Sequence, residues 1–343
     1  MEGHQDWEEG QRISAGDMSN TNEILQRCRP SFKKKLESSI ELLRNAKDLA
    51  LKYSDDGFYL AFSGGKDSQC LYHVAELAGV PFKAYMNLTS VDPPQVIMFV
   101  KKHYPSVVLN KPVDSIYNIA YKRKFLLPSR IIRWCCAELK EKGGAGTVCL
   151  TGIRKAESTK RAKRSAVEVS NRSFAGELDQ FFKWQMEQIK AKLPNINQDQ
   201  FAEQDISEVR CVNGKDKIII NPIMDWSDRE VWHFLNDVVK VPHCELYDMG
   251  WHRIGCICCP MANYKHKVEE LKMFPHVKRN WIKAIKNIRK DRIGDNMIVN
   301  NYWGGGTEDE QCEQIFNWWI SGKPYNEWYA DTFLQLKIDF EHD

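Results

Sequence analysis

Two sets of residues in this chain have the types and spacing to do chemistry. The first is Ser63-Gly-Gly-Lys-Asp-Ser68. Gly64 and Gly65 allow a tight turn and close backbone approach to a ligand. Lys66 adds a mobile positive charge, and Ser63 and Ser68 add hydroxyl donors. The run Phe58-Tyr-Leu-Ala-Phe62 before the loop reads as a buried parallel strand, and Leu71 to Leu77 after it as an amphipathic helix. Strand, Gly-rich turn and helix N-terminus together form an anion cradle, with free N–H groups and the helix dipole aimed at phosphate. Asp67 is out of place there, because a carboxylate repels phosphate unless it binds Mg²⁺ or orients the loop. Neither G-x-x-x-x-G-K-[ST] nor G-x-G-x-x-G is present at this turn.

The second set is made of thiols. The chain has 11 cysteines, an odd number without a short secreted framework around them, which argues for thiols or metal ligands rather than disulfides. Cys135 and Cys136 are adjacent in Arg133-Trp-Cys-Cys136, and Cys256, Cys258 and Cys259 lie in Gly255-Cys-Ile-Cys-Cys-Pro260. A CC pair followed by the C-x-x-C pair Cys256 and Cys259 supplies four thiolates, enough for a four-iron, four-sulfur cluster or for Zn²⁺. Adjacent cysteines on one helix point about 100° apart. That strains a single ion and favours the wider cluster, although spacing alone leaves the metal open. The competing reading is a set of buried structural thiols. It is the simpler one for Cys28, Cys70, Cys149, Cys211 and Cys312 taken singly.

A third segment, Thr151-Gly-Ile-Arg154 through Arg164, carries six basic residues and one acid. Gly152 and Arg154 follow a strand end. Arg154 and Arg161 have the fork geometry that clamps phosphate or sulfate, whereas Lys155, Lys160 and Lys163 read equally well as a solvated face.

These residues need elements to position them. Strands are expected at 58–62, 82–86, 107–109 and 147–151. Helices are expected at 32–53, from Asp92 to about Tyr104, at 114–124 and at 131–142. This alternation predicts an α/β fold with a doubly wound parallel sheet, an N-terminal helix and a helical C-terminal extension. Ligands bind such sheets at the carboxyl ends of strands, where Ser63–Ser68, Asn87–Asp92 and Gly152–Arg154 all fall. The expected organisation is a loose arm over 1–30, an α/β domain over 31–262 with an insertion at about 167–217, and a helical region over 263–343. A helix is expected within the insertion over 175–192. In Ser227-Asp-Arg-Glu230 a capping box is expected ahead of buried Val231, Trp232 and Leu235. From Lys272 to Arg292 there are eight Lys or Arg and one acid, with Phe274 and Trp281 interleaved. That pattern fits a nucleic-acid track and a charged outer face over Ile282, Ile285 and Ile288 equally well. The net charge of +3 is too small to establish nucleic-acid binding, and 43% hydrophobic content is ample for a core. No apolar run approaches a membrane span and no signal-peptide h-region opens the chain, so no membrane contact and a cytoplasmic location are expected.

The loop resembles that of the ATP pyrophosphatases, which cleave ATP between the α- and β-phosphates and adenylate a substrate. With Arg133-Trp-Cys-Cys136 and Lys140, Thr151-Gly-Ile-Arg154 with Glu157-Ser158, Asn221 to Trp232, and Leu246 to Cys256, the chain resembles the phosphoadenosine phosphosulfate (PAPS) reductase family over about residues 57–262. The resemblance implies that Ser63, Gly64, Gly65, Lys66, Asp67, Ser68, Gly152, Arg154 and Arg161 bind ATP with Mg²⁺, with Lys66, Asp67 and Arg154 catalytic. It also implies that Cys135, Cys136, Cys256 and Cys259 hold a 4Fe-4S cluster, as in adenylylsulfate reductases. Two features depart from the family's reductases. The loop is intact, which suits ATP itself, and the Glu-Cys-Gly-(Leu/Ile)-His motif that carries the reductase nucleophile is not found. The nearest cysteine, Cys312, has acidic neighbours that raise a thiol pKa. The combination is similar to the DNA phosphorothioation sulfurtransferases. The expected function is therefore an adenylating sulfurtransferase acting on DNA or tRNA, with a cysteine desulfurase or another sulfur donor as partner and a dimer as a plausible assembly. The alternatives are a PAPS or adenylylsulfate reductase, and a non-enzymatic nucleotide sensor with a structural cluster.

Overall fold

The structure is a computed structural model that describes residues 18–122, 127–169, 217–291, 298 and 301–334. Cys211, the expected helix over 175–192 and most of the expected insertion lie outside the described residues. Through β3 the chain runs α1 Met18–Gln26, α2 Pro30–Asn45, α3 Lys47–Tyr53, β1 Phe58–Ala61, α4 Lys66–Ala78, β2 Phe82–Asn87, α5 Pro94–His103 and β3 Val108–Asn110. There follow α6 Ile116–Lys122, α7 Trp134–Leu139, β4 Val148–Leu150, α8 Thr159–Ala162, β5 Val167–Val169, β6 Ile218–Ile220 and α9 Asp228–His233. The last helices are α10 Tyr264–Met273, α11 Pro275–Lys290, α12 Glu308–Ser321 and α13 Tyr325–Tyr329.

The chain forms two compact units. The first comprises residues 1–86, 95–110 and 142–254, and the second 87–94, 111–141 and 255–343. The first holds a six-stranded sheet in the order β3-β2-β1-β4-β6-β5. β1 runs parallel to β2 and β4, and β4 parallel to β6. Val148, Cys149 and Leu150 of β4 and Ile218, Ile219 and Ile220 of β6 are all buried, as continuous apolar runs in strands covered on both faces must be, while β1 alternates and buries Phe58 and Leu60. The expected doubly wound architecture is therefore present. Two strands go beyond the four expected: β6, Ile-Ile-Ile, lies parallel to β4, and β5, Val-Glu-Val, runs antiparallel on the edge against β6. Three residues with a central glutamate give little periodic signal.

The expected helix over 32–53 is two helices. The chain breaks at Ala46, which leaves helical geometry at φ −90°, ψ 0° and is fully buried. α2 opens with Pro30 in its first turn, where the missing N–H costs nothing, and buries Phe32, Leu36, Ile40 and Leu43. Part of the expected loose arm is helical, as α1.

In the second unit α11 buries Val277, Trp281, Ala284, Ile285 and Ile288. The Trp281 ring meets Trp319 of α12 at 4.7 Å and Tyr117 of α6 at 5.1 Å. Phe274 is buried as well. The aromatics interleaved among the basic residues are therefore core. Three of the cations are engaged by α12: Lys278 with Glu313, Lys286 with Asp309 at 2.6 Å, and Arg289 with Gln311 at 2.6 Å.

Candidate functional site

Strand order reverses between β1 and β4, since β2 and β3 lie to one side and β6 and β5 to the other. The crevice outside the carboxyl ends of these two strands is where doubly wound sheets bind ligands. β1 ends directly into Ser63–Ser68, and β4 into Thr151–Arg154. The loop is tied to itself: Ser63 N–H donates to Ser68 Oγ at 3.1 Å, and the Ser68 hydroxyl donates to the Gly65 carbonyl at 2.8 Å. Gly64 has φ +72°, and a Cβ there would come within 2.7 Å of Val96 Cγ1. Gly152 has a different constraint, because a Cβ would stand 2.9 Å from the Asp67 carbonyl oxygen. That close approach brings the turn after β4 against the first turn of α4.

Arg154 is 1% exposed. Its Nε donates to Asp67 Oδ1 at 2.6 Å, Nη1 to the Trp226 carbonyl at 3.1 Å and Nη2 to Asp228 Oδ1 at 2.7 Å. Burial opposes the Arg154 cation, but Asp67 and Asp228 outweigh it and raise its pKa. Burial pushes the Asp67 carboxyl up, against the pull of Lys66 and Arg154. Asp228 is held low by Arg154 and Lys66 in spite of its own burial. The Lys66 ammonium lies 3.7 Å from both Asp67 Oδ2 and Asp228 Oδ1. Arg154 thus orients the loop carboxylate, with its nitrogens already committed to protein acceptors. Arg161 pairs with Glu157, and Lys155 with Asp225 at 2.9 Å.

Three residues of this site were not singled out in the sequence. Asp228 sits inside the expected capping box, which is present: Ser227 Oγ accepts from the Glu230 N–H and Glu230 returns the bond. The capping role accounts for the local pattern of this segment, and nothing within it marks Asp228 as the partner of a residue 74 positions away. Tyr247 and His252 also reach the loop, from the segment quoted for the family resemblance. Lys66 N–H donates to Tyr247 Oη at 2.8 Å, and Lys66 Nζ to the His252 carbonyl at 3.4 Å. Trp232, expected in the core, is half-buried and presents its ring edge to Tyr247 at 5.0 Å.

The four cysteines of the expected metal set lie in the second unit. Cys135 and Cys136 open α7, which starts later than the expected 131–142 helix. The Cys135 thiol is pushed up, first by its hydrogen bond to Cys136 and by burial, with further contributions from Cys136, Cys256 and Cys259. Cys136 is pulled down, first by Cys135 and, against burial, by Arg133, whose Nη2 lies 3.2 Å from its sulfur. Lys140 is held charged chiefly by Cys256. The carbonyls of Pro260 and Ala262 receive Arg130 at 3.2 and 3.4 Å, and Ile257 N–H donates to the Val91 carbonyl at 2.8 Å. Among the described residues, no three His, Cys, Asp or Glu side chains are closed into a metal site. The donor chemistry nevertheless suits a thiolate-held group. Four sulfurs act on one another electrostatically, and Arg133 and Lys140 are counter-cations. Cys258 is apart from this: it is buried at φ +60°, and its N–H donates to Glu270 Oε2 at 2.7 Å. Cys28, Cys70, Cys149 and Cys312 are buried thiols.

Among the described residues no helix is long and apolar enough to cross a membrane. The phosphoadenosine phosphosulfate reductase domain matches residues 57–262. An uncharacterized protein of Methanocaldococcus jannaschii is 25% identical over 286 residues, covering 82% of this chain and 59% of that protein. The adenosine 5′-phosphosulfate reductase of Allochromatium vinosum is 41% identical over 61 residues, 18% of this chain and 23% of the reductase. This chain therefore spans about 59% or less of the curated relatives described here. Among solved structures, the phosphoadenylyl-sulfate reductase of Candida auris aligns at 17% identity with a TM-score of 0.38, over 67% of this chain and 95% of that one. The FMN adenylyltransferase of Candida glabrata in complex with ATP aligns at 14% identity with a TM-score of 0.42, over 69% and 68%. With the domain match spanning well over half its length, the chain belongs to the phosphoadenosine phosphosulfate reductase domain family, whose PP-loop enzymes have related nucleotide-binding sulfur-transfer or reductase functions.

Proposed function

We propose that this chain is an ATP pyrophosphatase-type sulfurtransferase that adenylates an acceptor, releases pyrophosphate and installs sulfur on DNA or tRNA. The observation that carries this reading is the complete loop at the carboxyl end of β1, with Asp67 fixed at its mouth by Arg154. The triphosphate of ATP lies against the N-terminus of α4, with Ser63, Gly64, Gly65, Lys66 and Ser68 as donors and Gly152 letting the neighbouring strand end pack closely against the loop. Asp67, held in orientation, is the carboxylate for Mg²⁺, and Lys66 neutralises charge on the leaving pyrophosphate. An acceptor oxygen attacks the α-phosphorus, its bond to pyrophosphate breaks, and an adenylate forms. A sulfur nucleophile at the hydrosulfide level then displaces AMP, with no net redox change. Arg161 is retained as an outer phosphate contact, although its ion pair with Glu157 must open first. Cys135, Cys136, Cys256 and Cys259 would hold the 4Fe-4S cluster, which supplies electrostatic or sulfur-handling chemistry when bound. Zn²⁺ is the lesser alternative.

Arg279, Lys283 and Lys290 support the nucleic-acid acceptor. They are exposed on α11 at spacings of four and seven residues, within about 40° on the helix surface. A sulfur donor such as a cysteine desulfurase and a dimeric assembly belong to the same proposal, as does a cytoplasmic setting.

The second reading is a PAPS or adenylylsulfate reductase, favoured by the segment shared with the Allochromatium enzyme. Cys312 speaks against its being that nucleophile: it is fully buried and burial raises its thiol to about 11. Pyrophosphate release from ATP by anaerobically purified protein, with and without DNA or tRNA, separates the readings when run beside sulfite release from PAPS with a thiol reductant. Nucleic-acid-stimulated pyrophosphate supports the sulfurtransferase. Sulfite without ATP cleavage rejects it.

A further inference from the structure

Two donors of the loop, the Lys66 N–H and the Lys66 ammonium, are already engaged by one segment of the same unit. The Lys66 N–H, first of α4, is the type of group that a helix N-terminus offers to an anion. Here it donates to Tyr247 Oη at 2.8 Å. The Lys66 ammonium donates to the His252 carbonyl at 3.4 Å and faces the Tyr247 ring 6.0 Å from its centroid. A Cβ on Gly65 would come within 3.4 Å of Tyr247 Oη, so the phenol oxygen lies directly over the Gly-Gly turn.

The placement of Tyr247 is built rather than incidental. Its ring meets Trp232 edge-on at 5.0 Å and 90°, and Trp232 in turn meets His243 at 5.2 Å. Cys244 and Leu246 are fully buried and anchor the start of the segment. Beyond them the chain is held by its own turn, with the Trp251 N–H donating to the Leu246 carbonyl at 3.0 Å and the Trp251 ring buried, so any release pivots on the exposed turn between. Met249 is exposed, and Gly250 has φ +86° with open space around it. The Tyr247 hydroxyl keeps its proton, because burial pushes its pKa up. A neutral phenol is a weaker acceptor than a phosphate oxygen, whose charge-assisted bond to an N–H is roughly twice as strong.

We propose that Tyr247 sets the affinity of the phosphate cradle by being its resident occupant. The phosphate of the nucleotide displaces the phenol oxygen from the Lys66 N–H, and the Tyr247–His252 segment lets go as the nucleotide enters. Only a ligand with enough charge to outcompete both the phenol and the His252 carbonyl gains the site. The proposal rests on the reading of Ser63–Ser68 as a phosphate site.

Inorganic pyrophosphate is the probe, titrated by calorimetry into the full-length protein and into Tyr247→Phe. The variant removes the acceptor and leaves the Lys66 N–H unsatisfied in the free protein. It should bind pyrophosphate roughly tenfold more tightly. In the wild type, amide hydrogen exchange over residues 245–253 should speed up when pyrophosphate binds. Equal or weaker binding by a folded Tyr247→Phe protein overturns the occupant role while leaving the phosphate site standing, and so does protection of 245–253. Absence of pyrophosphate binding by both proteins overturns the phosphate site and the occupant role together. If the variant fails to fold, the exchange measurement on the wild type decides the question.

Discussion

Arg154 spends its guanidinium inside the protein, on Asp67, Asp228 and the Trp226 carbonyl. Its removal leaves Asp67 half-buried and short of its main partner. Breaking a buried pair from one side costs about 3–5 kcal/mol. Arg154→Ala should lose stability on that scale in urea unfolding, and Arg154→Lys should recover little, since a point charge cannot serve three separated acceptors. A second buried acid carries a pH signature. Glu270, 3% exposed, is raised by burial from about 4.5 to about 7. The folded protein therefore binds a proton that the unfolded chain releases. That contribution is fully present below about pH 4.5 and is lost as pH rises towards 7. Unfolding free energies measured from pH 5 to 8 should fall more steeply in the wild type than in Glu270→Gln. Residue types and short spacings made Lys66, Asp67 and the four cysteines legible in the sequence. The partners of Arg154 and Lys66 were not, because Asp228 and Tyr247 lie 74 and 181 residues away from them and nothing local marks the pairing.

The element that matters most is the turn from β1 into α4. Gly64 at φ +72° has Val96 Cγ1 where a Cβ would go. A non-glycine residue there pays about 1–3 kcal/mol in backbone strain alone, and the helix N-terminus shifts with it. Gly64→Ala should lower both the unfolding midpoint and pyrophosphate binding, measured on the same preparation. Strand, turn and helix are readable here because an apolar run, paired glycines and an amphipathic pattern follow one another without interruption. β5 was missed for the opposite reason: three residues on an antiparallel edge carry no period, and the partner β6 is 49 or more residues further on. The basic helix α11 shows a subtler limit. Its charge was plain in sequence, but the acids of α12 that engage Lys278 and Lys286 could be assigned only once the two helices were packed.

Across the whole molecule, the loop carboxylate network belongs to the first compact unit and the four-cysteine set to the second. The two sets have different work under the proposed function, and each can be removed separately. Anaerobically purified protein should carry iron and acid-labile sulfide. Cys135→Ser, Cys136→Ser, Cys256→Ser and Cys259→Ser should each lose them, while Cys258→Ser, whose thiol is buried and whose N–H is held by Glu270, should retain them. Zinc in place of iron would contradict the cluster without touching the loop. The adenylating sulfurtransferase is tested by ATP labelled at the α-phosphorus, incubated with Mg²⁺, protein and either DNA or tRNA, followed by separation of the labelled products. Label should appear in AMP or an adenylated acceptor, with pyrophosphate released in equal amount and both lost in Asp67→Ala. Label in ADP, or no turnover of ATP beside sulfite release from PAPS, would contradict it.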